Sequence, residues 1–381
     1  MKHRVGIVGA GQLARMMAQA AIPLGIELTL LAASPDDGAA KVVPNVVVGS
    51  PDDPDRIREL AARVDVITFD HELVDPDLLD ALVAEGHDVQ PRPDEMRLAQ
   101  NKRLQRQMVT DAGLPGPAWT QVDDVSDVER FAGEHGWPVV LKAVRGGYDG
   151  RGVWKVDDRD MAETVVTGAR DTGTELLAEA FQPLDGELAV LVARNPSGDC
   201  RVYPATETVQ RDGICHELHV PARFGEEVSR EAEALAMQIA ERIGATGMLA
   251  IEFFVVAGRV LINELAPRPH NSGHWTIEGA EVSQFEQHLR AVLDWPLGGT
   301  AMVAPAAVTR NLLGPEDGSD PFARIPLSLG RSAAHIHWYG KESRPGRKIG
   351  HVTARADAPA DAERIATVAW SALMAGEEQG T

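Results

Sequence analysis

Cysteine is scarce in this chain, and the scarcity limits the kinds of protein it can be. Only Cys200 and Cys215 occur among the 381 residues. Their spacing is not that of a metal site, and nothing else in the sequence indicates a disulfide framework of the kind found in small secreted domains. We therefore expect the protein to work in a reducing compartment.

Basic residues are also under-represented. Lysine and arginine total 37 against 57 aspartates and glutamates, which gives a net charge of −20. No window concentrates enough positive charge to form a nucleic-acid track, so we expect no nucleic-acid partner. The acidic composition does not exclude the binding of small anionic ligands, because lysines, arginines and helix N-termini can lie close together at one site.

Long apolar runs and two common motifs are missing as well. No apolar run approaches the roughly 20 residues of a membrane span, and the N-terminus lacks the apolar core of a signal peptide. We expect a cytoplasmic protein with no membrane partner. No G-x-x-x-x-G-K-[ST] sequence occurs, which excludes a Walker-type phosphate loop, and no internal repeat is found.

What is present is typical of a soluble multidomain protein, with 44% hydrophobic and 25% charged residues. A chain of this length predicts two or three domains. Strand and helix patterns alternate through the first section, which predicts a parallel sheet wrapped by helices, and the later sections mix strands and helices. The predicted fold class is α/β and α+β, with domains at 1–98, 99–297 and 298–381.

Three local predictions concern segments that the pattern defines less sharply. One helix is predicted from the segment "RLAQNKRLQRQMVTDAGLP" at 97–115, and one strand from "RVYPATETV" at 201–209. The segment 314–326 is polar and rich in turn residues, so we expect a mobile loop there.

A glycine turn follows the first predicted strand. Gly9, Gly11 and Ala14 fit the G-x-G-x-x-A form of a dinucleotide fingerprint. A nicotinamide or flavin site also wants an acidic residue at the end of the second strand, where the chain has only alanines and Ser34. Two interpretations stay open: an anion site for a phosphorylated ligand, and a tight turn that only packs strand on helix.

A second glycine-rich segment, "LKAVRGGYDGRGVWKV", spans residues 141–156 and holds Gly146, Gly147, Gly150 and Gly152. Glycine permits close backbone approach, and successive N–H groups in such a loop bind phosphate oxygens. Lys142 in the preceding strand supplies a positive charge. The alternative is an ordinary Asp-Gly hairpin tip that needs no ligand.

Two carboxylates fall on adjacent predicted strands joined through residues 257–259. If that connection has three residues, Glu252 and Glu264 face each other with Cβ atoms roughly 4.5 to 5.5 Å apart, where like charges repel. Magnesium explains such a pair, because it binds one or two carboxylates together with substrate phosphates. Asn263 adds a neutral oxygen ligand. The alternative is a solvated hairpin face with a loose register.

The segment "APRPHNSGHWT" at 266–276 follows directly, and its two prolines restrict the backbone. Each histidine taken alone is equally compatible with a hydrogen-bonded loop residue. Its polar side chains favour substrate binding because they come just after a candidate metal site: Arg268, His270, Asn271, Ser272 and His274.

Taken together, these segments resemble the ATP-grasp superfamily and, within it, the 5-(carboxyamino)imidazole ribonucleotide synthetases of purine biosynthesis. The resemblance covers nearly the whole chain, in order. It rests on "GAGQLARMM", "RLAQNK", "LKAVRGGYDGRGVW", "LAIEFF", "NELAPRPHNSGHWT" and "WYGKESRPGRKIGH". It implies a Rossmann-like N-terminal domain, a central ATP-grasp domain with a hinged lid at about 117–185, and a small mixed C-terminal domain.

The resemblance also implies an activity and its ligands. ATP drives the carboxylation of 5-aminoimidazole ribonucleotide by bicarbonate, through carboxyphosphate, and is converted to ADP and phosphate. The implied cofactor set is ATP and magnesium, with manganese as an alternative ion, and the implied assembly is a homodimer.

Site residues follow from the same resemblance. Metal ligands are Glu252 and Glu264, and Asp149 is assigned as proton acceptor beside the catalytic residues Tyr148 and Arg268. Within the ATP set, Glu179 to Gln182 contact adenine and Glu187 contacts the ribose. The ATP set is Arg97, Lys142, Gly146, Gly147, Tyr148, Asp149, Gly150, Arg151, Gly152, Glu179, Ala180, Phe181, Gln182, Glu187, Gln210, Asn263 and Glu264. The imidazole nucleotide set is Tyr148, Asp149, Arg268, His270, Asn271, Ser272, Lys341, Arg347 and Lys348.

The chain departs from the family pattern at several positions. Ala10 and Ala14 replace two usual glycines, Gln210 replaces a histidine expected near the adenine, and "FDHEL" replaces a more usual glutamate-containing run. Three other functions stay open: a formate-using ATP-grasp ligase, a dehydrogenase built on the first glycine turn, and a noncatalytic nucleotide sensor.

Overall fold

The computed structural model describes residues 3–147 and 152–375. Its N-terminal section is a parallel sheet with the strand order β3-β2-β1-β4, which confirms the predicted alternation of strands and helices. The strands are β1 (Arg4–Val8), β2 (Glu27–Ala32), β3 (Asn45–Val48) and β4 (Val66–Phe69). The helices are α1 (Gln12–Ala21), α2 (Pro54–Ala61), α3 (Pro76–Ala84) and α4 (Pro93–Gln100).

Both faces of this sheet are covered. Val5 and Ile7 of β1 belong to an apolar core shared with α1, whereas Val8 packs in a second core with α2 and α3. Alternate residues of a strand point to opposite faces, so one apolar strand supplies both cores.

The helix predicted at 97–115 is two helices. α4 ends at Gln100 and α5 covers Lys102–Asp111, with Asn101 between them in an extended conformation. The Asn101 side chain accepts a hydrogen bond from the backbone N–H of Leu104 at 3.1 Å, so it caps α5. The change of direction turns the basic face of α5 toward the centre of the molecule.

A small antiparallel sheet with the order β5-β8-β6-β7 follows, with two helices packed in its core. Its strands are β5 (Trp119–Val122), β6 (Val139–Ala143), β7 (Val153–Val156) and β8 (Leu176–Ala180), and its helices are α6 (Val125–His135) and α7 (Arg159–Asp171). The glycine-rich segment joins β6 to β7. Tyr148, Asp149, Gly150 and Arg151 lie outside the described residues.

The remaining strands form one nine-stranded sheet, β14-β13-β9-β11-β12-β15-β17-β16, with β10 paired to β9. Its strands are β9 (Gly186–Arg194), β10 (Cys200–Val202), β11 (Thr206–Arg211), β12 (Ile214–Val220), β13 (Gly247–Val256), β14 (Arg259–Ala266), β15 (Ala306–Leu313), β16 (His335–Trp338) and β17 (Lys348–Ala356). The associated helices are α8 (Glu226–Ile243), α9 (Thr276–Gly279), α10 (Gln284–Val292), α11 (Ile325–Arg331) and α12 (Pro359–Met374).

Two local predictions were wrong in extent. The strand predicted at 201–209 is divided into β10 and β11, and Pro204 lies between them. The loop predicted at 314–326 contains a 3-10 turn at Pro321–Arg324 and the start of α11. Asp320 caps that turn through a 3.0 Å hydrogen bond from the N–H of Phe322, which explains how a polar segment becomes helical.

The C-terminal strands continue the central sheet instead of forming a sheet of their own. β15 pairs with β12 in antiparallel register, with Leu218 opposite Thr309. The C-terminal section also reaches the N-terminal one, where Lys41 Nζ donates to the carbonyl of Gly340 at 3.0 Å. Within the described part of the chain, no helix combines the length and the apolar character needed to cross a membrane.

Candidate active site

Glu252 and Glu264 face each other across β13 and β14, but not by the predicted route. The connection has two residues, Ala257 and Gly258, both with positive φ, and Val256 pairs with Arg259. A register shift between Phe253 and Glu252 then leaves Asn263 without a partner in the strand ladder and brings the two glutamates opposite each other. The short turn and the bulge together produce the arrangement that a three-residue turn was expected to give.

The two carboxylates sit in different electrostatic surroundings. Desolvation and the neighbouring charge of Glu264 raise the pKa of Glu252 to about 8. Desolvation also acts on Glu264, yet its pKa lies below the usual value because Lys102 Nζ is 2.9 Å from Glu264 Oε1. One carboxylate is therefore already neutralised by the chain, and the other lacks a strong cationic partner.

Lys142 lies beside this pair in a nearly buried network. Its ammonium is 2.8 Å from Glu179 Oε2 and 3.2 Å from Asn263 Oδ1. Arg106 Nε is 2.6 Å from the other oxygen of Glu179. Desolvation would raise the pKa of Glu179, but the two cations lower it to about 2. Two cations and one carboxylate, with a net charge of +1, are thus buried next to the carboxylate pair.

Lys102 and Arg106 were missed in the sequence, although they lie four residues apart on one face of α5. The sequence-based choice from this segment was Arg97, which the structure places away from the cluster. Arg97 lies on the outer surface of α4, where it pairs with Asp77, Asp80 and Asp94. Because the chain changes direction at Asn101, α4 and α5 point different ways, and Arg97 of α4 does not reach the cluster formed by α5.

The predicted adenine and ribose contacts line the junction of the two antiparallel sheets. Gln182 Nε2 donates to the carbonyl of Ala180 at 3.1 Å, and Phe181 keeps 42% of its surface exposed. Glu187 lies on the same face of the large sheet as Glu252. Ala189 pairs with Glu252, and residues two apart in a strand point to the same face. Desolvation raises the pKa of Glu187 to about 7. Gln210 lies farther along β11, opposite Cys215.

The loop after β14 closes the other side of the carboxylate pair. His270 Nε2 is 3.5 Å from Glu252 Oε1, and His270 Nδ1 is 2.9 Å from Ser272 Oγ. Arg268 Nε lies 2.8 Å from Glu72 Oε1, which ties the loop to the N-terminal section. Asn271 Nδ2 approaches the sulfur of Cys215 at 3.9 Å.

A cleft of about 580 Å³ lies where the first glycine turn meets the segment between β16 and β17. Lys341 contacts Gln12 Oε1 in this cleft, and Arg347 lines it. Desolvation and the charge of Arg347 lower the pKa of Lys341 to about 8. Lys348 begins β17 and is close enough to Glu252 to lower its pKa slightly. The predicted nucleotide-binding cations are thereby brought next to the N-terminal sheet.

The first glycine turn encloses a carboxylate of the chain itself. Gly11 N–H donates to Asp70 Oδ2 at 2.6 Å, and a Cβ on Gly9 would lie 1.7 Å from Asp70 Oδ1. Only glycine fits at position 9, which also has φ +111°. The turn is therefore shaped by Asp70, and the cleft opens beside it.

The described glycines of the glycine-rich segment lie where β6 and β7 end and the connection between them begins. Gly146 and Gly152 have φ values of +77° and +73°, and Ala143 N–H donates to the carbonyl of Gly152 at 2.8 Å. Gly147 lies beside them, at the end of the described range.

The residues present fit a magnesium ion that also binds phosphate. Within residues 3–147 and 152–375, no group of three or more histidine, cysteine or acidic side chains is arranged to hold a metal ion. What the chain offers is one pair of carboxylates with Asn263 beside it, and magnesium often takes its remaining ligands from water and substrate phosphates.

Comparison with protein families gives three matches that together span most of the chain. Residues 1–100 match the ribonucleotide synthetase preATP-grasp domain, residues 107–285 the ATP-grasp domain, and residues 307–365 the phosphoribosylaminoimidazole carboxylase C-terminal domain.

Similar proteins and structures agree with these matches. The chain is 46% identical to the N5-carboxyaminoimidazole ribonucleotide synthase of Mycobacterium tuberculosis, over 91% of this chain and 82% of that protein. It is 41% identical to the enzyme of the same name from Corynebacterium ammoniagenes, over 96% and 93%.

Solved structures resemble the whole fold. The N5-carboxyaminoimidazole ribonucleotide synthetase of Thermus thermophilus superposes with a TM-score of 0.88 at 36% identity, over 99% of this chain and 100% of that one. The Aspergillus clavatus synthase, in complex with ADP and 5-aminoimidazole ribonucleotide, gives a TM-score of 0.88 at 30% identity, over 98% of both chains.

Proposed function

The chain belongs to the N5-carboxyaminoimidazole ribonucleotide synthase family of ATP-grasp ligases, and from this we propose that it carboxylates 5-aminoimidazole ribonucleotide at the expense of ATP. The observation that carries the proposal is the facing pair Glu252 and Glu264, flanked by enclosed cations. Acidic and basic groups together are what phosphoryl transfer through a metal-bound nucleotide requires.

ATP is placed at the junction of the two antiparallel sheets. Lys142 and Lys102 supply positive charge for its phosphates, and the backbone around Ala180 and Gln182 receives the adenine. Glu187 lies where a carboxylate can bind ribose hydroxyls. The carboxylate of Glu179 is held by Arg106 and Lys142, so we assign it to orienting Lys142 and leave adenine recognition to the neighbouring backbone.

Glu252 and Glu264 would hold magnesium, with manganese as an alternative ion. When bound, this ion neutralises charge on the transferring phosphoryl group. The high pKa of Glu252 reflects the missing positive charge, because desolvation and Glu264 both disfavour its ionised form. Binding of a divalent cation together with ATP would release the proton that Glu252 holds at neutral pH.

The imidazole nucleotide is placed in the cleft, with its phosphate toward Lys341 and Arg347. Arg268 and His270 lie between this cleft and the carboxylate pair. Bicarbonate is a poor electrophile, and phosphorylation to carboxyphosphate provides a leaving group. The exocyclic amine then forms the new C–N bond and loses a proton, for which Asp149 is the predicted acceptor.

An ADP-release assay tests the proposal directly. We expect ADP only when 5-aminoimidazole ribonucleotide, bicarbonate and Mg²⁺ are all present. Replacing bicarbonate by formate distinguishes a transformylase. ADP release that depends on neither bicarbonate nor formate would contradict the assignment. We also propose a cytoplasmic location, on the sequence features given above, and a homodimer, which the family resemblance supports. Sedimentation of the purified protein would test the homodimer as a doubling of the 41.0 kDa chain mass.

A further inference from the structure

Gln284, the first residue of α10, makes an unusual contact with the loop beside the carboxylate pair. Its side chain is fully buried. The backbone N–H of His270 donates to Gln284 Oε1 at 2.8 Å, and Gln284 Nε2 donates to the carbonyl of His270 at 2.7 Å. One carboxamide thus satisfies both backbone groups of one residue, as a neighbouring strand would.

The second half of the loop is held by a 3-10 turn at Asn271–Gly273, whereas the first half has few backbone donors of its own. Pro267 and Pro269 have no N–H to donate. A Cβ on Gly273 would lie 2.5 Å from Gln284 Oε1, so the loop is closely wrapped around that side chain. The backbone N–H of Gln284 also donates to Thr276 Oγ1 at 2.9 Å, which fixes the far end of the loop.

The residue held in this way points its ring at the carboxylate pair. His270 Nε2 is 3.5 Å from Glu252 Oε1, and Ser272 Oγ bonds the other ring nitrogen. We propose that Gln284 is a positioning residue, which sets the place of His270 relative to Glu252 and the imidazole nucleotide. This inference rests on the function proposed above.

The same helix contains a matched control. Gln287 is equally buried, and its carboxamide accepts from the N–H of Gly298 at 2.9 Å and donates to the carbonyl of Gly298 at 2.9 Å. The two glutamines therefore make the same pair of bonds from one helix. Only Gln284 makes them to a residue of the candidate site.

The experiment compares Gln284→Glu with Gln287→Glu. Each change places a carboxylate oxygen against a carbonyl that now receives an N–H, so each should lower the thermal unfolding midpoint to a similar extent. We expect Gln284→Glu to lower kcat/KM for the imidazole nucleotide by about 100-fold, because small displacements in a reactive geometry have effects of this size. The KM for ATP should change by less than ~3-fold in both variants.

Gln284→Met, which removes both bonds without opposing two acceptors, replaces the first variant if that protein does not fold. The inference is overturned if the Gln284 variant keeps its activity, or if the Gln287 variant loses as much. Wild-type protein is assayed in parallel. If the wild type does not couple ADP release to the imidazole nucleotide and bicarbonate, the proposed function fails, independently of Gln284.

Discussion

Two cross-strand pairs in the nine-stranded sheet show opposite electrostatic designs. Glu217 of β12 faces Arg310 of β15, whereas Glu252 of β13 faces Glu264 of β14. Glu217 also bonds Arg211 and His219, and the hydrogen bond from His219 together with Arg310 lowers its pKa to about 2. The charge of Glu217 is balanced by cationic groups of the chain itself. The charges of two facing carboxylates are not, so a bound cation would stabilise them.

The two clusters also lie in different places in the molecule. Arg310 donates to Thr367 Oγ1 at 2.7 Å and lies over the ring of Trp370, so the Glu217 cluster attaches α12 to the sheet. The Glu252 pair instead lies at the face of the sheet that carries Glu187, and its two side chains keep 25% and 39% of their surface exposed. We interpret the first cluster as structural and the second as functional.

The largest effect should come from Glu264→Gln. Removing one charge from the facing pair should reduce ADP release by about 1,000-fold, since loss of a group that stabilises the transferring charge has effects of this order. Binding of Mn²⁺ in the presence of ATP, followed by electron paramagnetic resonance, should weaken as well. Glu231→Gln on the exposed face of α8 serves as the control. Tight Mn²⁺ binding by the Glu264 variant would remove the metal assignment.

Glu217→Gln should give the converse result. Arg310 and His219 lose their ionised partner inside the protein, so we expect the free energy of unfolding to fall by about 2 kcal/mol. ADP release by the folded enzyme should stay within ~2-fold of the wild type. Arg211 keeps 57% of its side chain exposed, and Arg211→Gln should therefore cost less than ~1 kcal/mol. Loss of turnover in the Glu217 variant would break the distinction between the two clusters.

The smallest expected effect is a pH dependence of opposite sign at the two sites. The folded protein holds a proton on Glu252 up to about pH 8, which the unfolded chain releases near pH 4.5, so this group makes the ligand-free protein less stable as pH rises between those values. Glu252→Gln should remove that slope, a change of about 1 kcal/mol after solvent screening.

Glu217 acts in the other direction. Its lowered pKa contributes stability that is present above the ordinary glutamate value and is lost as the pH falls toward 2. Thermal midpoints of the wild type and both variants across pH 2 to 8 would test the two signs together, Glu217 in the lower part of that range and Glu252 in the upper part. A Glu252 variant with the wild-type slope would contradict the assignment of that slope.

The fold could be read from the sequence wherever the signal was local. Apolar strands alternating with amphipathic helices predicted the N-terminal parallel sheet, and a short connection predicted that Glu252 and Glu264 face each other. The bulge at Asn263 could not be predicted, because it is defined by pairing across the sheet. The attachment of β15 to β12 is likewise a contact between distant parts of the chain.

The cations of the site show the same limit. Lys142 was identified because it directly precedes a glycine-rich turn. Lys102 and Arg106 were missed, because the segment was treated as one helix although Asn101 is a typical N-cap residue and could have marked the start of a second one. Arg97 was chosen instead, and its side chain pairs with exposed aspartates. Roles given to Tyr148 and Asp149 stay predictions.

The pairing of β15 with β12 has a practical consequence for anyone who dissects or fuses this chain. A protein cut near residue 298 would leave the hydrogen-bonding groups of β12 without their native partner and present an open edge for association with other chains. The third section should accordingly be expressed together with the second. A modular insertion is better placed at the exposed tip near Gly318, away from any strand register.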